Sequence, residues 1–123
     1  MRRSIAVIIL LLAGSAQARA PSTPDRLLAG RTARAPVQCI NKNRIIDTQT
    51  FDDGSIFYRM SAKDDYLQRP RNCRQLNSNR SYVTATQGAQ LCAGDGLDVF
   101  DPVIKSTYGA CIFDEFVPYP KKK

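Results

Sequence analysis

Four cysteines and the absence of histidine limit the chemistry that this sequence can carry. The cysteines are Cys39, Cys73, Cys92 and Cys111. In a short exported chain, an even set of cysteines predicts two disulfide bonds rather than a metal or redox site. Histidine is the usual general base and the commonest metal ligand, so its absence argues against a catalytic centre. We therefore predict no catalytic residues, no metal and no cofactor.

Three aspartates follow one another at three-residue steps in the stretch GDGLDVFD, namely Asp95, Asp98 and Asp101. Calcium prefers six or more oxygen ligands, and carboxylates near glycines are one source of them. The spacing is not that of an EF-hand loop, and in a strand Asp98 would face away from the other two. We predict turn and solvent-facing roles, with Asp95 fixing the turn that follows Cys92.

A second group of carboxylates offers an acid and base pair for glycoside hydrolysis. It comprises Asp64 and Asp65 on one segment and Asp114 and Glu115 on another. That mechanism needs two carboxyl groups held at a set separation across a cleft, which sequence alone does not show. The chain contains no tryptophan, which also argues against a sugar hydrolase.

Within residues 37–118, positive charge is densest on either side of the second cysteine, Cys73. The residues are Arg69, Arg71, Arg74 and Arg80. Arginine forks bind phosphates, carboxylates or acidic protein surfaces. These four residues are the predicted anion or partner contact, and a solvated loop is the simpler alternative.

The first residues have the pattern of a secretory signal. Arg2 and Arg3 form a basic start, Ile5 to Ala13 is apolar, and Ala16-Gln17-Ala18 is a small-x-small cleavage site. The apolar run is shorter than the roughly 20 residues that span a bilayer, so no transmembrane segment is expected after cleavage. We predict a signal peptide over 1–18 and a periplasmic or secreted protein.

The formal net charge of +7 is concentrated outside the central part of the chain. Residues 37–118 contain nine Lys or Arg against ten Asp or Glu, so this body is close to neutral. The positive charge lies in a Pro-, Ala- and Arg-rich segment over 19–36, predicted to be a mostly disordered linker, and in a basic tail over 119–123. Such tails favour loose contact with an anionic surface or envelope protein, and we predict no nucleic-acid binding.

Apolar residues in the body recur with a period of two, which is typical of strands. Asp53-Gly54 predicts a hairpin turn, and Gly94-Asp95-Gly96 predicts a second turn. The predicted strands are Arg44–Phe51, Ser55–Met60, Asp65–Gln68, Ser81–Thr86, Ala89–Cys92, Leu97–Phe100 and Gly109–Val117. Five to seven short antiparallel strands predict a single all-β domain over 37–118, a small disulfide-stapled barrel or sandwich.

Among the possible disulfide pairings, we favour Cys39 with Cys111 and Cys73 with Cys92. The first and last strands of a closed sheet are neighbours, so a bond between them would seal a barrel. Pairing in sequence order is nearly as well supported.

Several short motifs in the body resemble, in their order, an uncharacterised family of small exported proteobacterial proteins. The motifs are CI at 39–40, RI at 44–45, SIFYR at 55–59, CRQL at 73–76, LCAGD at 91–95 and CIFDEFVP at 111–118. The resemblance implies a bacterial periplasmic or secreted protein. It implies no known activity, and it supplies no family catalytic residues for this chain.

Two classes of function follow from these features. The first is an exported, non-enzymatic β domain that binds a protein or an envelope component. The alternative is a small histidine-free enzyme, or an enzyme inhibitor, that acts through carboxylates or arginines. Desolvated carboxylates in a deep pocket would favour the enzyme, and an exposed apolar patch would favour the binding domain.

Overall fold

The computed structural model describes residues 22–86 and 88–122, and the predicted signal peptide over 1–18 lies outside these ranges. Within them, nine strands form three antiparallel sheets, and α1 (Asp25–Leu28) is a single helical turn. The strands are β1 (Cys39–Asn41), β2 (Ile45–Thr50), β3 (Ile56–Met60), β4 (Asp64–Gln68), β5 (Ser81–Thr84), β6 (Gln90–Cys92), β7 (Gly96–Phe100), β8 (Thr107–Ile112) and β9 (Val117–Pro120). None of the helices in the described ranges is long and apolar enough to cross a membrane.

The sheets form a sandwich-like arrangement rather than a closed barrel. The larger sheet has the strand order β2-β3-β4-β9, the smaller sheet has the order β5-β7-β8, and β1 pairs with β6 in a separate ribbon. The predicted all-β class is confirmed, and the sandwich is the correct one of its two alternatives.

The predicted hairpin turn at Asp53-Gly54 joins β2 to β3. Gly54 has a φ of +83°, a conformation that glycine adopts without a steric penalty. The Asp53 carboxylate accepts a hydrogen bond from the Ser55 backbone N–H at 3.0 Å and fixes the turn. A side chain at Gly54 would also place its Cβ 3.1 Å from the Cys73 carbonyl oxygen.

The predicted strand Gly109–Val117 is instead two strands, β8 and β9, that belong to different sheets. Between them the chain crosses the core and buries Phe113 and Phe116 completely. Gln68, which is also fully buried, holds this crossing by donating to the Asp114 carbonyl oxygen at 2.7 Å and accepting from the Asp114 N–H at 2.8 Å. Burial alternates from Cys111 to Phe113 and then breaks at Asp114 and Glu115, which are both exposed, so one continuous strand is predicted only if this break is overlooked.

The central strands of the larger sheet, β3 and β4, bury side chains on both faces. One face packs against the smaller sheet in the main core, which contains Tyr58 of β3 and Val99 of β7. The opposite face carries a second apolar cluster of Phe51, Phe57 and Leu67.

The segment preceding β1 covers this second cluster. Leu28 of α1 packs on it, and the Arg31 guanidinium lies 5.6 Å from the centre of the Phe57 ring. Residues 22–36 therefore lie along the body in the structure, whereas composition predicts a mostly disordered linker. The segment has too little apolar area to fold alone, but the sheet supplies the apolar surface on which it packs.

The disulfide bonds join Cys39 to Cys92 and Cys73 to Cys111, so the favoured pairing from the sequence is wrong. That pairing assumes a closed sheet in which the first and last strands are neighbours. In the structure β1 pairs with β6, which places Cys39 directly opposite Cys92. An isolated antiparallel β-bridge between Arg71 and Ile112 aligns the segment before Cys73 with β8, which contains Cys111.

Candidate functional site

The hairpin between β7 and β8 ends in a loop, Asp101–Ser106, which we call the tip loop. The Asp101 N–H donates to the Ser106 carbonyl oxygen at 2.8 Å, and the Lys105 N–H donates to the Asp101 carbonyl oxygen at 2.8 Å. The Asp101 carboxylate accepts from the backbone N–H groups of Val103 at 2.8 Å and Ile104 at 3.2 Å. These four bonds hold the tip loop in one conformation.

Two aliphatic side chains project from this fixed loop into solvent. Val103 is 84% exposed and Ile104 is 64% exposed. Both are β-branched, so their χ1 rotation is already restricted before any contact is made. The tip loop therefore presents a rigid apolar surface that the fold itself does not use.

A second candidate surface is a polar cleft of about 350 Å³ between the two larger sheets. It is lined by Thr48 and Thr50 of β2, by Ser81 and Tyr82 of β5, and by Arg80. Both β2 and β5 are edge strands of their sheets, so the cleft lies where the sandwich is open on one side. We call these five residues the polar cleft.

Arg80 is held in place from two directions. Its guanidinium lies 3.7 Å from the centre of the Tyr108 ring, and its Nη1 donates to the Gln75 carbonyl oxygen at 2.5 Å. Stacking on an aromatic face and a hydrogen bond to a fixed carbonyl restrict the orientation of an otherwise flexible side chain.

Tyr82, which lines the polar cleft, shares a hydrogen bond with Tyr58, which is buried in the core behind it. The hydroxyl oxygens of Tyr58 and Tyr82 are 2.7 Å apart. Burial raises the pKa of Tyr82 to about 12, although its hydrogen bond with Tyr58 lowers the value slightly. Burial also raises the pKa of Tyr58 well above its usual value. Both phenols are therefore neutral at physiological pH.

The four arginines singled out in the sequence do not form one patch. Arg69 lies 3.4 Å from the Asp53 carboxylate, and Arg69 and Arg74 line a separate hollow of about 210 Å³. Arg71 is exposed, and its backbone N–H donates to the Ile112 carbonyl oxygen. Arg80 alone among the four lines the polar cleft.

The three aspartates of the GDGLDVFD stretch have separate roles. The Asp95 carboxylate accepts from the Cys92 N–H at 2.7 Å, which is the predicted turn contact. Asp98 is exposed on β7, as predicted, and Asp101 bonds the tip loop. Within the described ranges, no group of three or more Cys, Asp or Glu side chains is placed to hold a metal ion.

The carboxylates considered for glycoside hydrolysis lie at opposite ends of β4. Asp65 is 2% exposed and accepts from Arg31 at 3.0 Å, and Asp64 lies 3.8 Å from Arg34. The Asp114 backbone N–H donates to Gln68, which lies about 10 Å of extended chain from Asp65 along β4. Asp114 and Glu115 line a separate hollow of about 220 Å³ that Asp64 and Asp65 do not line. The structure therefore does not bring the two pairs together across a cleft.

Sequence reasoning does not find the tip loop, and of the polar cleft it singles out only Arg80. Adjacent Val103 and Ile104 inside a stretch of turn residues are a visible signal, because apolar pairs are uncommon in exposed turns. The polar cleft has no such signal, because it depends on how two edge strands from different sheets are placed.

Comparisons of this chain with models of known protein families, with curated proteins and with solved structures give no match. Its function is therefore inferred from the geometry of its own residues.

Proposed function

We propose that this protein is an exported, non-enzymatic binding domain that inserts Val103 and Ile104 into an apolar pocket on a protein partner. The predicted signal peptide and the two disulfide bonds support a periplasmic or secreted location. The bacterial setting implied by the resembled family belongs to the same proposal. The exposure of two aliphatic side chains on a hydrogen-bonded loop is the observation that carries it.

The energetics of the tip loop fit a binding role. Burying the exposed parts of two aliphatic side chains contributes roughly 3 kcal/mol, which is about a hundredfold in affinity. Little of this gain is lost to ordering, because the backbone is already fixed and the side chains have few rotamers. Loops on a rigid scaffold are also common carriers of binding function.

A protein pocket fits the tip loop better than a lipid bilayer does. Membrane-inserting loops commonly contain Trp or Tyr at the interface and several basic residues. The tip loop has the sequence DPVIKS. It contains no aromatic residue, and its one lysine is offset by one aspartate. Its two apolar side chains form a small protrusion that matches a pocket of similar size.

The enzyme alternative receives less support from the geometry. The carboxylates of Asp64 and Asp65 are engaged in ion pairs with Arg34 and Arg31, which hold the segment before β1 on the larger sheet. The exposed apolar protrusion is the feature expected of a binding domain. An inhibitor would use the tip loop in the same way, with an enzyme as the partner.

The experiment immobilises the wild type and two double variants and measures which proteins each retains. The proteins offered to them are the exported fraction of the producing cells. Val103→Asp with Ile104→Asp alters the tip loop. Ile46→Asp with Val83→Asp alters side chains that are 55% and 57% exposed on β2 and β5, and serves as the matched control. We expect a defined partner to be retained by the wild type and by the control, and its affinity to fall about a hundredfold for the tip variant.

Equal retention by both double variants would contradict the proposal. Retention of lipid vesicles by the wild type, with no protein partner, would replace the protein pocket with a membrane. The melting temperatures of both variants should match that of the wild type, because all four positions are on the surface.

A further inference from the structure

We propose that the polar cleft binds a small hydroxylated ligand through its carboxylate or phosphate group, with Arg80 as the anchor. This site is separate from the tip loop and does not depend on the function proposed for that loop.

Arg80 has donors left over for a ligand. A guanidinium group carries five N–H donors, and the Gln75 carbonyl oxygen accepts from Nη1. Stacking on Tyr108 occupies one face of the guanidinium plane and leaves its edge available. The stacking contact with Tyr108 fixes the guanidinium plane before a ligand binds. An oxyanion can therefore accept two parallel hydrogen bonds from Arg80 while the side chain loses little conformational entropy.

The other walls of the polar cleft supply hydroxyl groups. Thr48 and Thr50 alternate with Gln49 on β2, so their side chains share one face of the strand, and Ser81 lies across from them on β5. A hydroxyl both donates and accepts, so it can bond an oxyanion or a ligand hydroxyl. Arginine with threonine and serine hydroxyls is a donor set suited to phosphate and carboxylate oxygens.

The electrostatics of the cleft favour an anion. Among the residues the structure describes, no carboxylate lines the polar cleft, and no acidic side chain forms an ion pair with Arg80. Tyr82, the one tyrosine that lines the cleft among the described residues, is neutral at physiological pH and adds no negative charge. The hollow beside Arg69 differs in this respect, because Asp53 there already neutralises the arginine.

The size of the cleft indicates more than a bare ion. A volume of about 350 Å³ lies at the lower end of the range for small-molecule sites and exceeds that of a single phosphate or carboxylate. The space beyond Arg80 is lined by hydroxyls, so the remainder of the ligand is polar. A sugar acid and a sugar phosphate both have this combination of groups.

The test is an NMR titration of the full mature protein with three probes: glucuronic acid, glucose 6-phosphate and neutral glucose. We expect one or both acids to shift the amide signals of Thr50, Ser81 and Tyr82, and glucose to bind at least about tenfold more weakly. Shifts with glucuronic acid alone identify a carboxylate ligand, and shifts with glucose 6-phosphate alone identify a phosphate ligand.

Two variants locate the anchor. Arg80→Gln should weaken acid binding about tenfold or more, whereas Arg74→Gln, on an exposed arginine outside the cleft, should change it by less than about twofold. Arg80→Gln also removes the contact with Tyr108, so Thr48→Val serves as a second variant that leaves Arg80 in place and should still weaken binding. Absence of binding by either acid, equal binding of glucose, or equal effects of Arg80→Gln and Arg74→Gln would overturn the proposal.

Discussion

Asp65 connects both terminal segments of the described chain to the larger sheet. Its carboxylate accepts from Arg31 at 3.0 Å and from the Met60 N–H at 2.9 Å, and it lies 3.8 Å from the Lys121 ammonium. Asp65 is 2% exposed and Arg31 is 12% exposed, so this ion pair is shielded from water. One carboxylate thus holds together segments that lie far apart in the sequence.

Asp65→Asn should lower the free energy of unfolding by about 3 kcal/mol, because it leaves the buried Arg31 guanidinium without a compensating charge. Urea unfolding measures the change. The control is Asp98→Asn on the exposed face of β7, which should change stability by less than about 0.5 kcal/mol. A loss no larger than that of the control would show that the ion pair does not hold the segments.

Asp52 makes stability depend on pH. Hydrogen bonds from the Ser78 side chain, and then from the backbones of Ser22 and Ser78, hold the pKa of Asp52 well below its usual range. The unfolded chain titrates near a pKa of about 3.9, so the folded state binds this proton less readily. The stabilisation is therefore complete above that value and is lost as the pH falls through the lower pKa of the folded state.

We expect Asp52→Asn to melt below the wild type at neutral pH, with the difference shrinking steadily as the pH falls below about 4. Melting temperatures across the acid range measure this difference. A gap between the two proteins that is constant from neutral to acid pH would contradict the assigned role of the carboxylate.

Among the elements, the tip loop combines exposure with order because of one side chain, Asp101. Asp101→Ala removes the two bonds to the N–H groups of Val103 and Ile104 but keeps both apolar side chains. We expect amide hydrogen exchange at these two positions to accelerate about tenfold, with little change in global stability. Unchanged exchange would mean that the carboxylate does not order the loop.

The same elements show what sequence could and could not predict. Strand β7 follows from its alternating residues, and β2 and β3 follow from the turn at Asp53-Gly54 that joins them, because these signals lie within a few neighbours. The division between β8 and β9 was missed because it depends on Gln68, which is distant in sequence and clasps Asp114. The packing of residues 22–36 was missed because the apolar surface that holds them lies on β3 and β4.

The candidate site shows the same division between local and distant information. The sequence singles out four arginines as an anion or partner contact, and of these only Arg80 lies against an aromatic ring and lines a hydroxyl-lined cleft. Tyr108 and Thr48, which give Arg80 its setting, lie on strands far from it in the sequence. Composition indicates which side chains are available. The order of the strands in the sheets decides that Arg80, Tyr108 and Thr48 lie close together.

At the scale of the whole molecule, the two disulfide bonds interleave along the chain and span 53 and 38 residues. In the loop-entropy description each contributes up to about 4 kcal/mol, which is substantial for so small a domain. Non-reducing peptide mapping of the purified protein should recover Cys39 with Cys92 and Cys73 with Cys111. Recovery of a Cys39–Cys111 peptide would contradict this topology.

In the described part of the chain, two disulfide bonds cross-link the fold, the first and last segments pack against the larger sheet, and the apolar tip loop extends from the smaller sheet. A photoreactive amino acid placed at position 103 tests this account most directly, with position 46 on β2 as the exposed control. On illumination of cells that produce the protein, we expect a discrete protein adduct at position 103 and none at position 46. Adducts of equal yield at both positions, or no protein adduct at position 103, would contradict the tip loop as the binding surface.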